Sequence, residues 1–304
     1  MSQPWAPERV ISEKKAGPMI EKQFPQLQPA HVKVLGEGFD NSVFLVNNQY
    51  VFRFPRREIA ANLIQTENRL LPVIEPLLPI AIPNPKFQGI PVEVYPWPFG
   101  GYEILPGKTP ARLTKEQRLQ SVGPLALFLR MLHDFPVTEA QELQVPYDQL
   151  ERMNIIKRMP MLTSNIEKAK LKGLIEQNAL DLLKSFLSTI GKPLEDDTKT
   201  LVHGDLHIRN MLVDEDGRIS AVIDWGDTHI GHPAVDLSIA YSFLPAEGRE
   251  QFFTLYGDVP HEVKKVARFK AIYSILVLLL YGEDLQDQDL VDECRSTLLL
   301  ALED

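Results

Sequence analysis

The stretch LVHGDLHIRNMLVDEDGRISAVIDWGD, residues 201–227, decides how this chain reads. It is a β-rich island in a region otherwise dominated by helical periodicity. Asp205 and Asn210 stand five apart, and Asp224 follows 14 residues later, at the end of the apolar run ISAVI (219–223). A loop holding Asp205 and Asn210, then a hairpin of NMLVD, the turn EDG and RISAVID, returns Asp224 towards Asn210. A carboxylate and an amide oxygen, completed by phosphate and water oxygens, form a hard donor set suited to Mg²⁺. The remaining carboxylate is free to orient a hydroxyl.

Towards the N-terminus, residues 1–30 show weak periodicity and several prolines, and read as an irregular lead-in. From His31 the pattern changes to short β-type runs, HVKVL (31–35), SVFLV (42–46) and YVFRF (50–54), with Asn47-Asn48-Gln49 as the turn between the last two. Arg57–Leu71 has the spacing of a helix that should stop before Pro72. Eight prolines between Pro72 and Pro98 exclude a long helix there and leave loops and edge strands such as VEVY (92–95) and YEIL (102–105). After Pro106-Gly107 helical periodicity takes over, in Thr114–Leu132, in parts of 147–190, in 260–281 and in 288–302. The expected organisation is α+β, a small antiparallel sheet with one helix in residues 1–105 and a larger, mainly helical part in 106–304.

Composition narrows the class. With 304 residues, 44% hydrophobic and 24% charged, the chain can bury a sizeable core, which excludes disorder. The lone Cys294 excludes an internal disulfide and a thiolate zinc site, the first 25 residues hold no apolar core of signal-peptide type, and a reducing cytoplasm is the expected location. Ala271–Tyr281 is strongly apolar, but 11 residues fall short of a membrane span, so it reads as a buried helix. The formal charge of −9 argues against a nucleic-acid binder. Residues 1–104 balance 10 Lys/Arg against 10 Asp/Glu, whereas 105–304 hold 22 against 31, a field that would favour a cationic ligand if it is more than a solubility charge.

HGDLHIRN (203–210) and the later IDWGDTHIGHPAVDLS resemble the aminoglycoside phosphotransferase and choline-kinase-like small-molecule kinases, relatives of the protein kinases. The first segment matches their catalytic loop, and Asp224-Trp225-Gly226 stands where protein kinases have D-F-G. The resemblance implies a protein-kinase-like bilobal fold, with Asp205 as catalytic base and Asn210 and Asp224 as magnesium ligands. His203 and Asp236 would brace the loop, and Trp225 would pack as the Phe of D-F-G does. His207, His229 and His232 lack metal-site spacing.

An independent test lies in the N-terminal third. Leu35-Gly36-Glu37-Gly38-Phe39-Asp40-Asn41-Ser42 falls between two strand-like runs, where Gly36, Gly38 and Ser42 would let the backbone approach a nucleotide. Arg53 takes the position where the resemblance expects Lys, and keeps a permanent charge for the phosphates. Its expected partner is Glu67, with Glu58 as the alternative. The backbone of Glu103 and Leu105 would hold a purine, of ATP or GTP. Gly204 replaces the kinase Arg and no A-P-E follows Asp224, which points to a small acceptor.

The resulting expectation is Mg²⁺-dependent transfer of a nucleotide γ-phosphoryl group to a hydroxyl of a small molecule, with an aminoglycoside as first choice. Asp227, Glu283, Asp284 and Asp287, together with Asp289, Asp292 and Glu293, would suit such a polycation, although a solvated helix face explains them equally well. The alternatives are a macrolide 2′-phosphotransferase, suggested by the R-F-P-R-R context of Arg53, a choline, homoserine or methylthioribose kinase, and a non-catalytic nucleotide-binding pseudokinase.

Overall fold

The computed structural model describes residues 7–38, 40–191 and 194–303. The start of the expected lead-in and Phe39 of the glycine-rich segment lie outside the described residues. The chain divides into two compact units, one running to Leu77 with Ala81–Leu105 and Asp224–Asp227, the other made of Leu78–Ile80, Pro106–Ile223 and Thr228 onwards.

The first unit is built on a five-stranded antiparallel sheet of order β1-β2-β3-β5-β4, with β1 Val32–Glu37, β2 Asn41–Val46, β3 Tyr50–Pro55, β4 Pro85–Gly89 and β5 Phe99–Glu103. Helices α1 (Glu13–Gln23) and α2 (Glu58–Ile74) complete it. Strand alternation sorts the faces. Phe44, Val46, Phe52 and Phe54 point into a core shared with Ala16, Met19 and Ile20 of α1, and each such burial is worth about 1.5–3 kcal/mol. Arg53, between two of those phenylalanines, therefore projects from the opposite side of the sheet. The hairpin turn sits where expected, with Asn47 and Asn48 both left-handed (φ 53° and 54°) and β2 closing on β3 at Val46 and Tyr50.

Several elements differ from expectation. The lead-in contains α1, because burial of its apolar face on the sheet outweighs the poor helix propensity of Gly17 and Pro18. Helix α2 runs through Pro72 to Ile74; Gln88 Nε2 reaches the Asn68 carbonyl (3.5 Å) that Pro72 cannot serve, and Ile74 is buried. Residues 92–95 make only a tight bridge between Val92 and Tyr95, and the edge strand is β4 instead. Strand β5 starts early, at Phe99, and is internal: a side chain at Gly101 would collide with the Phe52 ring at 2.5 Å, so glycine lets the strand pass.

The second unit is mainly helical, with α3 Lys115–Leu119, α4 Val122–His133, α5 Val137–Glu142, α6 Ile155–Leu171, α7 Gln177–Thr189, α8 Ala234–Leu237, α9 Ile239–Ser242, α10 Ala246–Tyr256, α11 His261–Asp284 and α12 Gln288–Leu302. The expected helix over 114–132 divides at Gln120-Ser121, where Ser121 Oγ accepts the Ile219 N–H (2.9 Å). Two small antiparallel ribbons carry the 201–227 island, β6 (Thr200–Val202) with β9 (His229–Gly231) and β7 (Met211–Val213) with β8 (Ile219–Val222). Helix α11 contains the apolar run 271–281, which is buried on one face only: Ile272, Ile275, Leu276 and Leu279 are covered while Val277 is 42% exposed. Among the described residues no helix is long and apolar enough to cross a membrane.

Candidate active site

Between β6 and β7, the loop His203–Asn210 is held by several backbone and side-chain hydrogen bonds. The fully buried Asp236, on α8, accepts the backbone N–H groups of His203 (2.7 Å) and Gly204 (2.9 Å), while His133 Nε2 meets it from α4 at 3.2 Å. Gly204 is left-handed (φ 87°), the conformation that lets two successive N–H groups face one carboxylate. Burial alone would raise the Asp236 pKa; His133, His203 and the Gly204 N–H reverse this and hold it below the ordinary carboxylate range. His203 is fixed in turn, its Nδ1 accepting the Asp205 N–H (3.3 Å) and its Nε2 donating to the Ile223 carbonyl (3.1 Å).

Asp205 thus emerges from a rigid frame, with its side chain 40% exposed. His207 Nε2 lies 3.3 Å from Asp205 Oδ2, and because His207 Nδ1 accepts the Arg209 N–H (3.2 Å), its proton sits on Nε2 and is donated to Asp205. Burial works to raise the Asp205 pKa, but His207, Lys270 and His203 outweigh it and keep the carboxyl well below its usual range. Asn210, 6% exposed, donates Nδ2 to the Asp205 carbonyl (2.9 Å), which turns its Oδ1 the other way as an oxygen donor. The Ile223 N–H, one residue before Asp224, bonds the Asn210 carbonyl (2.9 Å).

In the first unit, Arg53 binds both carboxylate oxygens of Glu67 (2.8 and 3.1 Å) through Nη1 and Asp224 Oδ1 (3.0 Å) through Nη2. Glu67 is 2% exposed and also accepts from the Tyr102 hydroxyl (3.3 Å). Burial acts to lower the Arg53 pKa, but Glu67 and Asp224 more than offset it, so the guanidinium stays charged. Burial raises the Glu67 carboxyl, and Arg53 pulls it back. Glu58 opens α2 on an exposed turn and is no partner of Arg53. Asp224 is left-handed (φ 61°) and heads a 3-10 turn in which Trp225 is fully buried against α2.

Gly36 and Gly38 flank the β1–β2 turn, where Gly38 N–H bonds the Asn41 carbonyl (2.9 Å). Nothing within 4 Å would obstruct a side chain at Gly36, and only the Asn41 carbonyl (3.9 Å) lies near one at Gly38. Ser42 is buried, and its hydroxyl has no partner among the described residues. After β5, the Ile104 N–H bonds Gln49 (2.9 Å), while the Leu105 N–H has no partner among the described residues and the Glu103 side chain is exposed.

The sequence profile of the phosphotransferase enzyme family (APH) matches residues 31–268. The chain belongs to this family. Among solved structures it is similar to APH(2″)-IIIa in complex with GDP and kanamycin, 26% identical over 93% of this chain and 97% of that one with a TM-score of 0.66. It is also similar to the GDP complex of aminoglycoside 2′-phosphotransferase-IIIa, 25% identical over 96% and 99% with a TM-score of 0.68. Macrolide 2′-phosphotransferase type I shares the fold at 16% identity, covering 95% and 98% with a TM-score of 0.59. The small-molecule kinase fold expected from HGDLHIRN is therefore present. Curated relatives match over short segments: the uncharacterized protein YcbJ of Bacillus subtilis (21% identical, 29% of this chain and 31% of that protein) and acyl-CoA dehydrogenase family member 11 of Gallus gallus (40% identical, 22% and 10%). The matched part spans less than a third of either relative.

The acidic residues expected to receive a polycation are placed as follows in this APH-family chain. Glu283 and Asp284 flank Lys172 (3.9 and 3.2 Å), Asp287 caps α12 by accepting the Leu290 N–H (3.1 Å), and Glu293 is buried in an ion pair with Arg118. Asp289 pairs with Arg112 (2.5 Å) and Asp292 accepts from Gln288 (2.7 Å). Asp227 is exposed and belongs to the other unit. Sequence reasoning missed Tyr102 and Lys270. Tyr102 precedes Glu103 in a strand, two positions beyond Gly100, which faces Arg53 across the ladder; the period of two could have flagged it. Lys270 is a half-buried cation on α11 immediately before the apolar run, and a charge at that place is its only sequence signal.

Proposed function

We propose that this chain transfers the γ-phosphoryl group of ATP or GTP to a hydroxyl of a small molecule. The observation that carries the reading is the Asp205 loop: one carboxylate held ionised and aimed by His207, with the Asn210 amide turned by the Asp205 carbonyl so that its oxygen is available. Asp205 accepts the hydrogen bond of the acceptor hydroxyl and orients its oxygen in line with the γ-phosphorus. Its low basicity suits orientation rather than early proton removal, which is what a loose phosphoryl-transfer transition state requires. Arg53, fixed by Glu67, supplies a permanent positive charge for the phosphates. Gly36 and Gly38, glycines that no neighbouring side chain demands, suit close approach of the nucleotide to the backbone, and Glu103 and Leu105 offer main-chain groups to its base.

Asn210 and Asp224 would hold Mg²⁺, since an amide oxygen and a carboxylate are the hard donors that ion takes. When bound, it neutralises phosphate charge. The presence of Asp205, Asn210 and Asp224 together favours a catalyst over a pseudokinase. Kanamycin, gentamicin and erythromycin belong in the first acceptor panel, because the similar structures include aminoglycoside and macrolide phosphotransferases. The test is nucleoside-diphosphate release with ATP or GTP across that panel and a set of metabolite alcohols. Acceptor-dependent release that EDTA abolishes is expected; Mg-nucleotide binding without turnover on any acceptor would return the pseudokinase reading.

A further inference from the structure

We infer that the acceptor carries an anionic group, seated on a cationic, tyrosine-lined stripe of α11 beside Asp205; this rests on the phosphotransfer reading above. Lys270, Tyr273, Ser274, Val277 and Tyr281 recur at helical spacing on one side of α11, and none of them is fully buried, whereas Ala271, Ile272, Ile275 and Leu276 on the other side are. The stripe reaches the catalytic loop by a chain of contacts. Lys270 Nζ donates to Ser274 Oγ (2.6 Å), Ser274 and His207 line one small cavity, and His207 stands 3.3 Å from Asp205.

Two more cations cover the tyrosines. Arg158 of α6 lies 5.8 Å over the Tyr273 ring, and Arg209 of the catalytic loop lies 5.1 Å over Tyr281. Arg158 is tethered by the Leu150 carbonyl (2.6 Å), a neutral partner. Among the described residues, neither Arg158, Arg209 nor Lys270 has a carboxylate at ion-pair distance, and Lys270 gives only one of its three donors to Ser274. The other cations nearby are already matched, Arg152 by Asp148 (2.8 Å) and Lys157 by Glu151 (3.0 Å). Of the acidic residues around the α11–α12 turn, Glu283 and Asp284 answer to Lys172, Asp289 to Arg112, Glu293 to Arg118 and Asp287 to the α12 N-terminus.

A ligand rich in ammonium groups would meet Arg158, Arg209 and Lys270 here, none of them held by a carboxylate at ion-pair distance among the described residues. A carboxylate or phosphate would meet a guanidinium able to bind two oxygens and an ammonium beside it. The acceptor therefore offers a hydroxyl to Asp205, an anion to Lys270 and Arg158, and a flat or apolar segment to the two tyrosines.

The test separates a bacterial small-molecule extract, supplemented with kanamycin and erythromycin, into cation-retained, neutral and anion-retained pools at neutral pH. Each pool is incubated with the full chain, Mg²⁺ and γ-³²P-labelled ATP or GTP. Labelled ester in the anion-retained pool is expected, and phosphatase treatment of that pool beforehand, with the phosphatase removed, tells a carboxylate acceptor (labelling survives) from a phosphate one (labelling is lost). Labelling confined to the cationic or neutral pool overturns the inference and leaves phosphotransfer standing; no label in any pool overturns the phosphotransfer reading itself. For the acceptor so found, Lys270→Gln and Arg158→Gln should each raise its KM at least tenfold, with nucleotide KM within threefold and thermal melting unchanged; Arg158→Gln should also keep kcat within threefold, and Lys270→Arg should restore most of the Lys270→Gln loss. Unchanged acceptor KM in both folded glutamine variants would contradict the inference.

Discussion

Two regions of the second unit, the loop His203–Asn210 with its single carboxylate and the acidic stretch Glu283–Glu293 with six, differ in construction. In the loop, the charge on Asp205 is placed by backbone bonds of the neighbouring His203 and Gly204, by the fixed tautomer of His207 and by the buried Asp236, which lies 31 residues on along the chain. In the helical stretch, carboxylates pair with cations that the fold brings from distant parts of the chain, or cap α12. Asp205 keeps a side chain 40% exposed beside its histidine partner, whereas the helical carboxylates are taken up by cations or by a cap. Spacing encodes that difference, and net charge does not.

The sharpest way to break this contrast is to remove the charge at each place. Asp205→Asn should lower kcat about 10⁴-fold, the upper range for loss of a positioned acid–base group, with nucleotide KM within threefold; steady-state kinetics with a retained loss of less than tenfold would remove Asp205 from the mechanism. Asp236→Ala leaves the His203 and Gly204 N–H groups buried without an acceptor and should cost about 3–4 kcal/mol in urea unfolding. Because the Asp236 pKa is depressed in the folded state, its contribution is complete above the ordinary carboxylate range and is lost as pH falls below about 4. Unfolding followed from pH 7 to pH 3 should therefore drop more steeply in wild type than in Asp236→Asn.

How much of this was legible in the sequence follows the same division. The loop and the Arg53–Glu67 pair could be read because their function depends on residues at fixed intervals along one or two local elements. The Asn47-Asn48 turn was readable for a similar local reason, since asparagine tolerates the left-handed backbone that the hairpin needs. Helix α1 and strand β4 were not, because tertiary burial decides them: Met19 and Ile20 gain a sheet to cover, and β4 gains an edge to pair with. The purpose of Asp284 and Glu293 was also hidden, because Lys172 and Arg118 approach from more than 100 residues away. Lys270 was obscured by the apolar run beside it.

The acidic stretch supplies the smaller effects. Asp287→Ala should cost about 1 kcal/mol of stability through loss of the α12 cap, without change in acceptor KM. The double change Glu283→Gln with Asp284→Asn should shift stability by less than about 0.5 kcal/mol, as expected of exposed ion pairs, and leave kcat/KM within threefold. A tenfold rise in acceptor KM in that double variant would support the polycation reading and blur the contrast between the regions.

The central claim, that the Asp205 loop directs a nucleotide phosphoryl group onto an alcohol, is tested most directly by phosphorus NMR of the wild-type reaction with Mg²⁺, nucleotide and the acceptor pool. A new monoester resonance growing in step with nucleoside diphosphate, and absent with Asp205→Asn, is the predicted result. Inorganic phosphate as the sole product, or a monoester formed equally by Asp205→Asn, would contradict it.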